Sequence, residues 1–128
     1  MIVEDFEKLS NIRNMTELEH VLMKRYGNNV NSFWLYHGPG KFPDMHLMVN
    51  GEHACLYYFS REGDPGSRSV GKLDGLKAGG NSIFCMDGIE QKVEILNDAV
   101  IPLADALIAA KEFFISRNKP KSIEWFQL

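Results

Sequence analysis

The chain has 128 residues, enough for one domain and too few for two. With 45% apolar and 24% charged residues it is neither disordered, collagen-like nor a coiled coil. Its net charge of −3 argues against direct binding to nucleic acid or to an anionic membrane, and leaves a basic protein as a possible partner.

Two cysteines, Cys55 and Cys85, are too few for a disulfide scaffold. No apolar run approaches the roughly 18 residues that span a bilayer. The acidic start, Met1-Ile2-Val3-Glu4-Asp5, lacks the basic and apolar regions of a signal peptide. These features read as a soluble cytoplasmic protein with reduced thiols.

Thr16 and Glu19 have capping-box spacing, so a helix is expected to start at Thr16. Leu18, Val21, Leu22 and Tyr26 then recur at helical spacing, and Gly27-Asn28 ends the run. Ser32 to His37 is short and rich in aromatics, which reads as a strand. From Met45 to Phe59 two β-prone runs flank Asn50-Gly51, a preferred pair for a two-residue hairpin turn. With those two residues as the turn, Val49 pairs with Glu52, Leu47 with Ala54 and His46 with Cys55. One face then carries Met45, Leu47, Val49, Ala54, Leu56 and Tyr58 and reads as core. The other carries His46, Met48, His53, Cys55, Tyr57 and Phe59, and its mixed character means partial exposure or a separate cover.

Ser60 to Asn81 is dominated by glycine, proline and charge, with a short strand expected around Ser69-Val70. Ser82 to Met86 and Gln91 to Ile95 read as two strands joined by a tight turn at Asp87-Gly88. Pro102 suits the first turn of the longest helix. Its broad apolar face holds Leu103, Ala106, Leu107, Ala110, Phe113 and Phe114, extended by Ile108 and Ile115. It stops near Arg117-Asn118, before Pro120, and Ser122 to Phe126 forms a last strand. The pattern is one α+β domain over residues 1–128: an antiparallel sheet of about six strands packed by two helices.

Motifs for chemistry are sparse. Gly66 to Leu73 approaches a phosphate-binding loop, but Leu73 stands where magnesium needs a hydroxyl, and Asp74-Gly75 disfavours the helix that should follow. His46, His53 and Cys55 share a hairpin face and are of zinc-ligand type, without any metal-site spacing around them. The signatures of zinc nucleobase deaminases and of the nucleophile elbow are missing. Scattered acids such as Glu90, Glu94 and Asp98 read as a solvated surface. Trp34 and Trp125 lie in expected strands and read as core. No catalytic residue, metal or cofactor is expected, and this modestly favours a binding role.

The last third is distinctive. Asn97 to Pro102 leads to Ala106-Leu107 and Ala110-Lys111-Glu112-Phe113-Phe114, and a basic spacer precedes Lys119-Pro120-Lys121-Ser122-Ile123-Glu124-Trp125. With Tyr57-Tyr58-Phe59, Gly63-Asp64-Pro65-Gly66 and Ser69-Val70-Gly71, this resembles the first-numbered immunity-protein family of bacterial polymorphic toxin systems. The resemblance covers residues 45–128, and residues 1–44 match it in size and coarse pattern. It implies an antitoxin that is not an enzyme and that sterically inhibits a cognate secreted toxin, one acting on nucleic acid such as a cytosine deaminase. The expected contacts lie in the glycine-rich loops and on the mixed hairpin face: His53, Tyr57, Glu62, Asp64, Arg68 and Asp74. The competing readings are a small-ligand-binding or scaffold domain and a metal-dependent hydrolase using His46, His53 and Cys55.

Overall fold

A computed structural model describes residues 1–71 and 75–128. Its elements in chain order are β1 (Ile2–Glu4), β2 (Leu9–Asn11), α1 (Met15–Leu22), β3 (Val30–Tyr36), β4 (Asp44–Asn50), β5 (His53–Phe59), β6 (Ser67–Ser69), β7 (Asn81–Cys85), β8 (Lys92–Leu96), β9 (Ile101–Pro102), α2 (Leu103–Ser116) and β10 (Trp125–Gln127). The fold is α+β with two α-helices among the described residues. The main sheet runs β10-β6-β5-β4-β3-β1-β2, with β9 also paired to β5, while β7 and β8 form a separate two-stranded sheet. All strand pairs in both sheets are antiparallel.

The main sheet therefore has eight strands, not about six. The added strands are β1, β2 and β9, each two or three residues long. Such pieces carry too little period-2 pattern to stand out from sequence. β1 and β9 form because long-range partners supply their hydrogen bonds, β1 pairing with β3 from Ile2–Tyr36 to Glu4–Trp34 and β9 with the start of β5, while β2 folds back on β1 as a short hairpin.

The first helix starts earlier than the Thr16–Glu19 spacing suggested. Asn14 is its N-cap and accepts a hydrogen bond from the Glu17 amide at 2.9 Å. Glu17 in turn accepts from the Arg13 amide at 2.8 Å. A capping device is thus present two residues upstream of its expected place, with Glu17 reaching past the Asn14 cap to the amide of the residue before it. The helix also ends sooner, at Leu22, so Tyr26 lies beyond it. There the Arg25 guanidinium donates to the Leu22 carbonyl at 2.7 Å.

The central hairpin has the expected faces and a different register. Asn50 pairs with His53, Val49 with Ala54 and His46 with Tyr57. Gly51 and Glu52 are the turn residues, with Gly51 at φ 62°, the left-handed first position that suits glycine. The Gly51 amide donates to the Asn29 carbonyl at 3.0 Å, which pins the turn one residue later than Asn50-Gly51 would place it. This moves the register by two residues, so every side chain keeps its face. The connection between β7 and β8 is also longer than Asp87-Gly88 alone, spanning residues 86–91.

The face of Leu47, Val49, Leu56 and Tyr58 meets both helices. Leu18 and Leu22 of α1 and Ala106, Ala109, Ala110 and Phe113 of α2 complete this core. Three alanines on the buried stripe let α2 approach the sheet closely, and Phe113 fills the space between them and Tyr58, ring centroids 6.1 Å apart. Ile108 and Ile115, expected to extend that stripe, are 54% and 74% exposed and point away from the core. Arg117, at φ 60°, ends the helix in the left-handed conformation.

The opposite face is covered at one end only. Phe84 and Ile95 of the β7–β8 sheet, with Ala99 and Val100, pack on Met48 and Cys55. Gly71 seals this layer: its amide donates to the Asp98 carbonyl at 2.9 Å, and a Cβ there would stand 1.9 Å from the Val100 oxygen. The remainder of the face carries the features described next.

Candidate partner-binding surface

Residues directly opposite one another on neighbouring strands share a face. Register therefore sets one row across five strands: Trp34 opposite His46, His46 opposite Tyr57, Tyr57 opposite Arg68, and Arg68 opposite Phe126. Phe59 and Asp44 form the next pair toward one end of the strands, beside Tyr36. Together they make an aromatic strip on the side of the sheet away from the helices.

The strip is internally stacked. The Trp34 ring lies on His46, with centroids 3.9 Å apart and planes 3° from parallel. Trp34 and Phe59 centroids are 6.3 Å apart, and Tyr57 stacks on Phe59 at 6.5 Å. The Arg68 guanidinium sits 4.7 Å from the Phe126 centroid, a cation over a ring face. Arg68 Nη1 also donates to the Ser69 and Asp98 carbonyls at 3.0 and 3.2 Å, which fixes the side chain in place. Trp34, Tyr57, Phe59 and Arg68 are half-buried, and Phe126 is 52% exposed.

An imidazole and a carboxyl lie within this strip. His46 is buried beneath Trp34, and its Nε2 shares a hydrogen bond with Ser32 Oγ at 2.5 Å. Burial pushes its pKa down to about 3. Asp44 is 8% exposed, and its Oδ1 is buried with no hydrogen-bond partner. Burial pushes this carboxyl up to about 6, against a weaker attraction from Lys41 in the preceding loop.

Of the residues singled out from sequence, Tyr57 and Arg68 meet on the strip, opposite each other. Burial raises the Tyr57 phenol. Glu62 is exposed in the loop between β5 and β6. Asp64, in the same loop, accepts hydrogen bonds from the Ser60 amide and hydroxyl at 2.8 and 2.7 Å and from the Gly66 amide at 2.9 Å. These bonds, led by that of the Ser60 hydroxyl, push its pKa down to about 2. His53 opens β5, opposite Asn50 and Pro102 and four residues from Tyr57, or about 13 Å along the strand. Asp74 lies outside the described residues, as do Lys72 and Leu73 of the near phosphate-loop segment, whose Ser67 to Ser69 form β6.

The hairpin trio of His46, His53 and Cys55 does not assemble. Cys55 is buried opposite Met48, and burial pushes its thiol up. Among the described residues no three His, Cys, Asp or Glu side chains gather to hold a metal. An open groove of roughly 650 Å³ lies between α1 and the β1–β2 end, near Asp5, Lys8, Glu19 and Tyr26. It is broad and open to solvent, unlike the deep enclosed pocket a small-ligand domain uses.

The chain is 26% identical over 128 residues to the double-stranded DNA deaminase immunity protein of Burkholderia cenocepacia strain H111. The similarity spans 100% of both chains. No protein-family model matches the chain. The similarity includes residues 1–44, where the motifs of the C-terminal third offered only a coarse pattern, and so takes in β1 to β3 as well as the strip.

Sequence reasoning missed that Trp34 stacks on His46 and that Phe126 lies against Arg68. Trp34 reads as core because β3, Val30–Tyr36, is apolar on both sides of its pleat. The available signal was parity. Ser32, Trp34 and Tyr36 alternate together, and antiparallel pairing with the hairpin places them on the mixed face of His46 and Tyr57. Trp125 does join the core side, near Tyr58 at 6.2 Å, with its Nε1 donating to the Pro120 carbonyl at 2.8 Å. Among the described residues no helix is long and apolar enough to cross a membrane.

Proposed function

We propose that this protein is an immunity protein that neutralises a cognate deaminase toxin by binding it. The observation that carries the reading is the end-to-end similarity to a protein named for immunity to a double-stranded DNA deaminase. Residues 1–128 act as one domain of the first-numbered immunity family, to which the C-terminal motifs point. The protein is a cytoplasmic inhibitor without catalysis of its own, and it serves in interbacterial competition.

Inhibition is steric. An enzyme acting on nucleic acid, such as a cytosine deaminase, needs a basic substrate cleft. A partner of net charge −3 is steered toward that cleft and covers it. An interface of roughly 1,200–2,000 Å² in total suffices. The proposed contacts are Tyr57 and Arg68 on the strip, Glu62 and Asp64 in the β5–β6 loop, His53 at the start of β5, and Asp74.

The test is a pull-down of tagged protein from the producing strain, followed by a deamination assay on the captured toxin. A deaminase silenced at one-to-one stoichiometry supports the reading. A deaminase encoded in that strain, expressed and fully active beside an excess of this protein, overturns it.

A further inference from the structure

We propose that Arg68 is a receptor for a carboxylate side chain of the protein partner, an aspartate or glutamate held side-on by its Nε–H and Nη2–H donors. The guanidinium is already set for this. Its Nη1 carries two hydrogens and has two carbonyl acceptors, Ser69 at 3.0 Å and Asp98 at 3.2 Å. One of its faces lies against the Phe126 ring, 4.7 Å from the centroid. A side chain held in this way has already lost, in folding, much of the freedom that an arginine otherwise loses on binding.

The edge formed by Nε and Nη2 is left for a visitor. Among the described residues neither atom has a hydrogen-bond partner, and the ion pairs there are Arg13–Glu17 and Lys111–Glu19. Arg68 is half-buried, and the one buried side-chain polar atom without a partner among those residues is Asp44 Oδ1. The two unpartnered Arg68 donors are therefore open to solvent. Their parallel N–H bonds match the two oxygens of a carboxylate, which gives orientation as well as affinity.

The neighbours choose among anions. Tyr57 stands opposite Arg68 on one side and Phe126 on the other, and aromatic residues of this kind shield an ion pair from water. Glu62 and Asp64 lie in the loop that leads into β6, and Asp98, whose carbonyl holds Arg68, is exposed. With the net charge of −3, these acids repel a nucleic acid strand, which brings a phosphate with every nucleotide. They favour a basic protein surface that offers one carboxylate to Arg68. The inference rests on the immunity reading for the identity of that surface: it is the toxin's, and its carboxylate fixes the register in which this protein covers the cleft.

Two experiments separate the receptor from the reading behind it. The first titrates nitrogen-15-labelled protein with sodium acetate at constant ionic strength and follows the arginine Nε–H signals by NMR. Arg68→Lys, which lacks the Nε–H, assigns the signal. The Arg68 signal is expected to move several-fold further than that of exposed Arg61. Equal responses overturn the proposal, as does an Arg68 signal that responds to a single-stranded oligonucleotide at lower concentration than to acetate. The second measures Kd for the captured deaminase, with melting curves to verify folding. A rise on the order of 10- to 100-fold for Arg68→Ala supports the site. Arg68→Lys, which keeps the charge without the fork, should stay at least about 5-fold weaker than wild type, and full recovery by lysine overturns side-on pairing. One aspartate or glutamate of the toxin, neutralised to its amide, should lose as much and add nothing to Arg68→Ala; the absence of any such residue overturns the site. Undiminished inhibition by folded Arg68→Ala overturns the site and leaves the immunity reading standing. An Arg68 preference for acetate in a protein that inhibits no deaminase supports the receptor and overturns the immunity reading.

Discussion

Trp34 lies flat on His46, rings 3.9 Å apart and 3° from parallel, so an imidazole in the middle of the sheet is roofed by an indole from the neighbouring strand. The imidazole is held on two sides at once, its Nε2 by Ser32 and its ring face by the indole.

Acid should destabilise the protein through His46. Its pKa is about 3 in the folded chain against 6.5 when exposed. Between those values the unfolded chain binds the proton and the folded chain does not, so stability from this site is complete above pH 6.5 and is lost as pH falls toward 3. Replacing His46 with glutamine, which keeps a partner for Ser32, should flatten the decline in melting temperature between pH 6.5 and 4. An unchanged acid limb in that variant would show that the imidazole is protonated in the fold.

Asp44 should act with the opposite sign. Its carboxyl is raised from 3.8 to about 6, with Lys41 the nearby cation. The folded chain holds the proton more tightly, so this site's contribution is fully present below pH 3.8 and is lost as pH rises through 6. Asp44→Asn should therefore stabilise the free protein at pH 8, by about 1–3 kcal/mol, and have little effect at pH 4. Urea denaturation at the two pH values tests this, and equal effects at both would show that the carboxylate finds a partner in solution.

Gly71→Ala should be severely destabilising. Its Cβ would stand 1.9 Å from the Val100 carbonyl oxygen and 2.9 Å from Ile101 Cγ2, so backbone must move. A loss of about 3 kcal/mol or more is expected by denaturant titration. Phe113→Ala should cost about 3–5 kcal/mol for a different reason, the cavity left between α2, Tyr58 and His37.

Asp64 and Glu62 share a loop but should respond differently to truncation. Asp64 ties Ser60 to Gly66 by three hydrogen bonds, and Glu62 is exposed. Asp64→Ala should lower the melting temperature of the free protein, whereas Glu62→Ala should leave it unchanged. Equal melting curves for both would mean that the loop holds its shape through backbone alone.

Cys55 should resist thiol reagents in the native protein and react once the chain is unfolded. Burial both blocks access and holds the thiol protonated. Rapid native labelling at this position, read by mass spectrometry, would reveal that the β7–β8 layer lifts away from the main sheet.

Much of this architecture was legible in the sequence. The hairpin faces came out correctly even though its register was off by two, because a two-residue shift preserves the alternation of Leu47, Val49 and Leu56 against His46, Met48 and Cys55. The long helix was readable because its alanines and Phe113 repeat at helical spacing over fourteen residues. Very short strands such as Ile101–Pro102 were not, since only a distant partner, His53–Ala54 of β5, makes them strands. The strip was half legible: Tyr57 and Arg68 stood out as residue types, while Trp34, Asp44 and Phe126 join them only through pairings that no local pattern encodes.

The strip is a product of assembly. Its side chains come from β3, β4, β5, β6 and β10, and the last of them, Phe126, is laid down only when β10 closes against β6. No linear fragment of this chain can reproduce the surface, and a ribosome still holding the final strand inside its exit tunnel displays it incomplete. Recognition that depends on the whole strip must therefore wait for the finished fold, so an antibody or partner selected against it would serve as a probe of complete folding in the cell.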